Sequence, residues 1–140
     1  MATADTFQLQ IVSADRSLVD VPVREVQIPG ADGYFGVLPG HTPLLSTLGT
    51  GELWYRIGSE TTYLAVAFGF AEVQPDRVTV LAQIAERPEE IDTARAEAAK
   101  KRAEERLSKT AVDIDFERAR VALLKSLIRL QVASRARVRS

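Results

Sequence analysis

The stretch Gly30–Leu48, GADGYFGVLPGHTPLLSTL, sets the tightest limit on what this chain can fold into. Glycines at 30, 33, 36 and 40, prolines at 39 and 43 and a histidine at 41 interrupt its apolar side chains. Such spacing breaks any helix and predicts tight turns between brief strands. Pro39-Gly40 is the strongest of these turn signals, since proline presets its own dihedral and glycine accepts a positive one.

The flanking segments alternate with period two. Phe7, Leu9 and Ile11 share one face of a strand and Gln8 and Gln10 the other. Leu18 to Ile28 is apolar but contains Pro22, which predicts an edge or a break between two strands. Alternation returns in Glu52–Ile57, Thr61–Ala67, Phe68–Val73 and Arg77–Leu81, the last with Val78 and Val80 facing one way and Thr79 and Leu81 the other. About eight to ten short strands predict a two-sheet sandwich or flattened barrel, and nothing before residue 85 has the length of a crossover helix.

At Pro88 the pattern changes. Proline suits the first turn of a helix, with Glu89, Glu90 and Asp92 near its positive end, although Arg87 is a poor cap. Alanine, glutamate, lysine and arginine then carry a helix to about Leu107 or Ser108. Its apolar stripes are Ala96, Ala99, Ala103 and Leu107, beside Ile91, Ala94 and Ala98. A second helix is expected from Ile114 to Ala133, capped by Asp113 or Asp115, with a leucine-rich stripe of Phe116, Leu123, Leu124, Leu127 and Leu130, joined by Ile128, and with fraying from Ser134 onward. The expectation is a β domain over 1–86 and an antiparallel helical hairpin over 87–140 that completes its burial on something else.

Charge follows the same division. Residues 1–85 hold 9 acidic and 4 basic side chains, and residues 86–140 hold 10 and 14, so a segment at 9 − 4 = 5 net negative charges precedes one at 14 − 10 = 4 net positive charges. Attraction between the halves, or of the second half to an acidic partner, follows. Cysteine is absent, which removes disulfides and thiolate metal sites. The start MATADTF has neither the basic nor the apolar part of a signal peptide, and no apolar run reaches the roughly 20 residues of a bilayer span, so direct membrane insertion is not expected.

The common catalytic motifs are missing: no phosphate loop, no nucleophile elbow and no zinc-binding H-E-x-x-H. The chain is not expected to be an enzyme by itself, and no metal site is expected around its single histidine. His41 has two readings, a ring that bonds a nearby carbonyl to hold its loop or a contact with a partner. Trp54 and Tyr55 point to opposite faces of one strand, one inward and one outward. Arg95 and Arg102 share a face of the first helix, and Arg118, Lys125 and Arg129 a stripe of the second. These cations either converge on a polyphosphate near Asp92 or form a solvated, ion-paired surface. Glu97, Glu104, Glu105 and Glu117 interrupt any continuous track for nucleic acid.

Three segments together, GVLPGHTPLL over 36–45, EVQPDRVTVLA over 72–82 and ARAEAAKKRAEE over 94–105, resemble the epsilon subunit of bacterial F-type ATP synthase, and the match runs from about Phe7 to Val132. The resemblance implies a ten-stranded sandwich with a two-helix hairpin in the rotor's central stalk, peripheral on the cytoplasmic face of the bacterial plasma membrane. It implies a gamma subunit on one face of the sandwich and a c-ring at the end holding Tyr34, Leu38 and His41. A hairpin that extends toward the alpha and beta subunits would restrain ATP hydrolysis, with Arg118, Lys125 and Arg129 meeting acidic loops of beta. An I-D-x-x-R-A motif in some relatives implies regulatory ATP bound through Ile91, Asp92, Arg95 and Ala96, with Glu86, Arg102 and Arg129 in attendance. The rival reading is a free adaptor whose hairpin grips one helical partner.

Overall fold

The computed structural model describes residues 5–109 and 113–138. The chain divides into two compact units, Met1–Glu86 and Arg87–Ser140. The first is a sheet of seven strands: β1 (Phe7–Val12), β2 (Ser17–Val23), β3 (Glu25–Gly30), β4 (Gly33–Val37), β5 (Leu44–Ile57), β6 (Glu60–Val73) and β7 (Arg77–Glu86). Their order is β2-β1-β7-β6-β5-β3-β4. All neighbours are antiparallel except β1 and β7.

Seven strands replace the expected ten, and one folded sheet replaces two, for a specific reason. Glu52–Ile57 and the end of the turn-rich 30–48 stretch, Leu44–Leu48, are one strand of 14 residues. Thr61–Ala67 and Phe68–Val73 likewise merge into the 14-residue β6. Glycines that look like separators in the sequence lie inside continuous strands. The ladders of β6 with β5 and with β7 both skip Phe68, whose φ is 60°, and Gly69 follows at φ 123°. Leu48 faces Gly69 and Thr50 faces Ala67, as Ala67 faces Ile84 and Gly69 faces Ala82, so the register runs on unshifted and no residue is inserted. A Cβ at Gly69 would overlap the Leu81 carbonyl oxygen, so both its space and its dihedral require glycine.

One apolar cluster fills the interior and draws on all seven strands, with Leu9, Ile11, Ile28, Leu53, Leu64 and Val80 fully buried. Tyr55 is buried in it while Trp54, its neighbour, is half-exposed under the Arg56 guanidinium, 4.9 Å from the ring centre. The expected inward and outward pair is thereby resolved.

In the second unit Pro88–Glu90 form a single 3-10 turn, Ile91 is extended, and α1 spans Thr93–Lys109. The helix therefore starts five residues later than Pro88 predicts. Helix α2 spans Asp113–Val138, continuing past Ser134 where fraying was expected. The expected Asp113 or Asp115 cap lies outside the described side chains, as does the middle of the connecting turn.

The packing face of α2 is also corrected. Its buried positions are Ala119, Ser126, Val132 and Ala133, while Phe116, Leu124 and Leu127 of the predicted leucine stripe are exposed. Ala119, Ser126 and Ala133 recur every seven residues, matching Ala96 and Ala103 on α1. Small side chains at heptad spacing let the antiparallel helices approach closely, with Leu123 and Leu130 of the predicted stripe half-buried beside them. The buried Ser126 hydroxyl donates to the Ala122 carbonyl at 2.9 Å and leaves no unsatisfied group.

Replacing Gly69 with alanine should cost roughly 3 kcal/mol or more, by overlap and by strain at a positive dihedral. Alanine at Gly36, where a Cβ meets nothing, should cost under about 1 kcal/mol. Urea midpoints of the two variants check the contrast.

Candidate functional site

The outer face of the sheet carries an apolar row. Leu81 on β7 lies opposite Phe70 on β6 and Val12 on β1. Phe70 and Leu81 are 52% and 51% exposed in the middle of a sheet, where neighbouring strands already occupy both edges. Leu45, 69% exposed, lies diagonally beside Phe70, since Thr47 faces Phe70 and Leu45 faces Glu72. Large apolar side chains grouped this way are a protein-contact signature. Sequence alternation places Leu81 outward, but only the register between strands aligns it with Phe70 and Val12.

A second exposed region lies in the 38–45 turn. Leu38 and Leu44 are exposed, 60% and 41%. The turn is held by the Gly40 N–H donating to the Pro75 carbonyl at 2.8 Å and by the His41 N–H donating to the Leu38 carbonyl at 3.2 Å. His41 Nδ1 lies 2.6 Å from its neighbour's carbonyl, that of Thr42, and so carries the proton there. The loop-holding reading of this histidine is the one the geometry supports. Tyr34 is half-exposed, yet its hydroxyl accepts a hydrogen bond from the Glu52 N–H at 3.0 Å.

The I-D-x-x-R-A residues have local structural work. Asp92 Oδ1 accepts the Arg95 N–H at 3.0 Å, and the Asp92 carbonyl accepts the Ala96 N–H at 3.0 Å. Asp92 is thus the N-cap of α1. Ile91 and Ala96 are buried, at 7% and 0% exposure. One turn earlier, Glu90 Oε1 accepts the Arg87 N–H at 2.9 Å and so satisfies one free backbone donor at the start of the 3-10 turn. Three of the four motif residues are therefore explained by the start of a helix.

Of the remaining candidates, Arg95 and Arg102 are exposed on α1, Arg118 is exposed on α2, and Lys125 and Arg129 are half-buried. Glu86 ends β7 in the first unit. Residues 118–140 contain seven basic side chains and no acidic one, a bias that the whole-half count conceals. Arg120 Nε donates to Glu117 Oε1 at 3.1 Å. That hydrogen bond, with the arginine's charge adding to it, holds the Glu117 carboxyl below its ordinary value. Its contribution is complete above the unfolded-state value and is lost as pH falls through the lowered folded one. The pair is fully exposed, so salt screens it.

Among the described residues no group of three or more histidine, aspartate or glutamate side chains could hold a metal ion. None of the described helices is long and apolar enough to cross a membrane.

Removing the cap with Asp92→Ala should destabilise the start of α1 by about 1 kcal/mol, while Asp92→Asn, which keeps the acceptor, should cost only a few tenths. Hydrogen exchange at the Arg95 and Ala96 amides reads the difference.

Comparison with known proteins agrees with both units. Residues 6–88 match the family model described as ATP synthase, Delta/Epsilon chain, beta-sandwich domain, and residues 89–134 match that of the long alpha-helix domain of the same chain. The ATP synthase epsilon chain of Koribacter versatilis is 59% identical over 104 residues, covering 74% of this chain and 73% of its own. The epsilon chain of Syntrophobacter fumaroxidans is 46% identical over 132 residues, covering 94% and 98%. Among solved structures, a chain of the Euglena gracilis mitochondrial ATP synthase, OSCP/F1/c-ring, superposes with a TM-score of 0.81 at 24% identity, covering 95% of this chain and 84% of that one. A chain of the Tetrahymena thermophila central stalk and c-ring gives 0.57 at 10% identity, covering 96% and 98%, and these two likenesses bear on the fold. A sandwich and a two-helix unit, matched in succession over residues 6–134, establish that the chain belongs to the ATP synthase delta/epsilon family, as an epsilon subunit of the F-type enzyme.

Proposed function

We propose that this subunit is a non-catalytic part of the rotor's central stalk, which couples the gamma subunit to the c-ring and restrains ATP hydrolysis through movement of its helical hairpin. The observation that carries the reading is the row Val12–Leu81–Phe70, an exposed apolar surface on a sheet whose own core is complete. Gamma is assigned to that row. The c-ring is assigned to the end holding Leu38, His41 and Tyr34, and the complex sits on the cytoplasmic face of the plasma membrane. The units at 1–86 and 87–140 act as separate domains, the first a fixed coupling and the second a movable arm.

Two observations favour a movable arm. The hairpin closes through small side chains, which bury little area, and it leaves Phe116, Leu124 and Leu127 exposed for another surface. Its cationic second helix suits acidic loops of the beta subunits, with Arg118, Lys125 and Arg129 as the contacts. Regulatory ATP would draw on Glu86, Ile91, Asp92, Arg95, Ala96, Arg102 and Arg129. The cap formed by Asp92 supports a separate, purely structural reason for that motif, so ATP is the lesser part of the proposal.

In a reconstituted complex, omitting the subunit should abolish tight coupling of proton movement to ATP turnover. Ending the chain at Glu86 should raise ATP hydrolysis several-fold and retain coupling. Phe70→Glu should weaken copurification with gamma by about 30-fold or more, as expected for a central interface aromatic. Unchanged hydrolysis and coupling without the subunit would refute the reading, and favour the adaptor alternative.

Titration calorimetry on the full chain should show ATP heat that Arg95→Ala and Arg102→Ala remove. A flat trace at millimolar ATP would eliminate the nucleotide site and leave the coupling role untouched.

A further inference from the structure

The edge strand β4 has one strand neighbour, β3, and its partner opposite Tyr34 is Pro29, which has no N–H to give. At the same level the ladder between β3 and β5 is interrupted. Gln27 pairs with Trp54 and Gly30 with Leu48, so two residues of β3 face five of β5. Backbone groups of β5 in that gap need other partners. Tyr34 provides one by reaching across β3 to accept the Glu52 N–H at 3.0 Å. The seat beneath its ring is Gly51, where a Cβ would overlap the Tyr34 hydroxyl and the Pro29 Cβ.

We infer that Tyr34 is a positioning residue: its phenol staples β4, and the 38–43 turn that continues it, to β5. Leu38 and His41 are then presented to the ring as a preformed surface, and Tyr34 makes no contact there itself. This rests on the ring-facing role proposed above for the 30–45 segment. The hydroxyl faces inward to a backbone amide, whereas the exposed apolar surface of the turn comes from Leu38 and Leu44. The turn has a second anchor at Gly40 and Pro75, so the staple adjusts its placement without being needed for it to form.

Tyr34→Phe keeps the ring and removes the acceptor. On the full chain, exchange at the Glu52 amide should accelerate about 2- to 10-fold, the equivalent of one net hydrogen bond, and amides from Tyr34 to His41 should follow. Gly51→Ala, which displaces the ring, should produce the same pattern. Faster exchange at Glu52 alone, or at neither place, would overturn the inference.

In the reconstituted complex, ATP-driven proton pumping separates positioning from direct contact. Leu38→Ser and Tyr34→Phe should each lower pumping, and the double variant should be no worse than Leu38→Ser alone. Fully additive losses would mean that Tyr34 touches the partner itself, and would overturn the inference. An unaffected Leu38→Ser would instead refute the ring-facing reading, with the exchange pattern still deciding whether the staple exists.

Discussion

The positive backbone dihedrals at Phe68 and Gly69, in the middle of the longest strand pair, are the constraint on which the first unit depends. A flat sheet of seven strands would expose one face of every strand and bury no common core. β6 passes through Phe68, the one residue that both its ladders skip, without a change of register, and the single sheet contributes side chains from all seven strands to one interior cluster. The fit is local and unforgiving, since the Leu81 carbonyl occupies the space where any side chain at position 69 would go. The unshifted register past this point sets Leu81 opposite Phe70 on the outer surface.

The sequence is legible wherever a pattern is local. Alternation finds each stretch of strand, and the switch at Pro88 finds the division between sheet and helices. What alternation cannot express is whether Gly49 or Gly69 ends a strand or lies inside one, because that depends on what lies across the ladder. The helix starting at Thr93 shows a related limit. Proline and acidic residues satisfy the rules for a helix start at 88, yet Asp92 provides the stronger cap and the chain begins its α-helix there. The leucines of α2 mislead for a different reason. Hydrophobicity ranks them as core, but the heptad of Ala119, Ser126 and Ala133 fits the alanines of α1 more closely.

For the candidate sites, motif and geometry give separate information. The I-D-x-x-R-A residues are visible in the sequence, while their cap and burial appear only in three dimensions and supply a reason for Ile91, Asp92 and Ala96 that needs no ligand. Tyr34 likewise has an internal contact that its sequence position does not announce. Placed by resemblance at a partner surface, its hydroxyl is engaged by the chain's own Glu52 amide, a partner 18 residues away that no spacing rule selects. The exposed row on β1, β7 and β6 is the opposite case, a surface assembled from three distant segments with no motif to announce it.

The 14-residue strands β5 and β6 are paired from Leu44–Val73 at one end to Ile57–Glu60 at the other. When a ribbon of this kind is pulled along its axis, its cross-links share the load and must fail together, whereas peeling from one end would break them singly. A twisting shaft that met this subunit lengthwise would find a stiff spar.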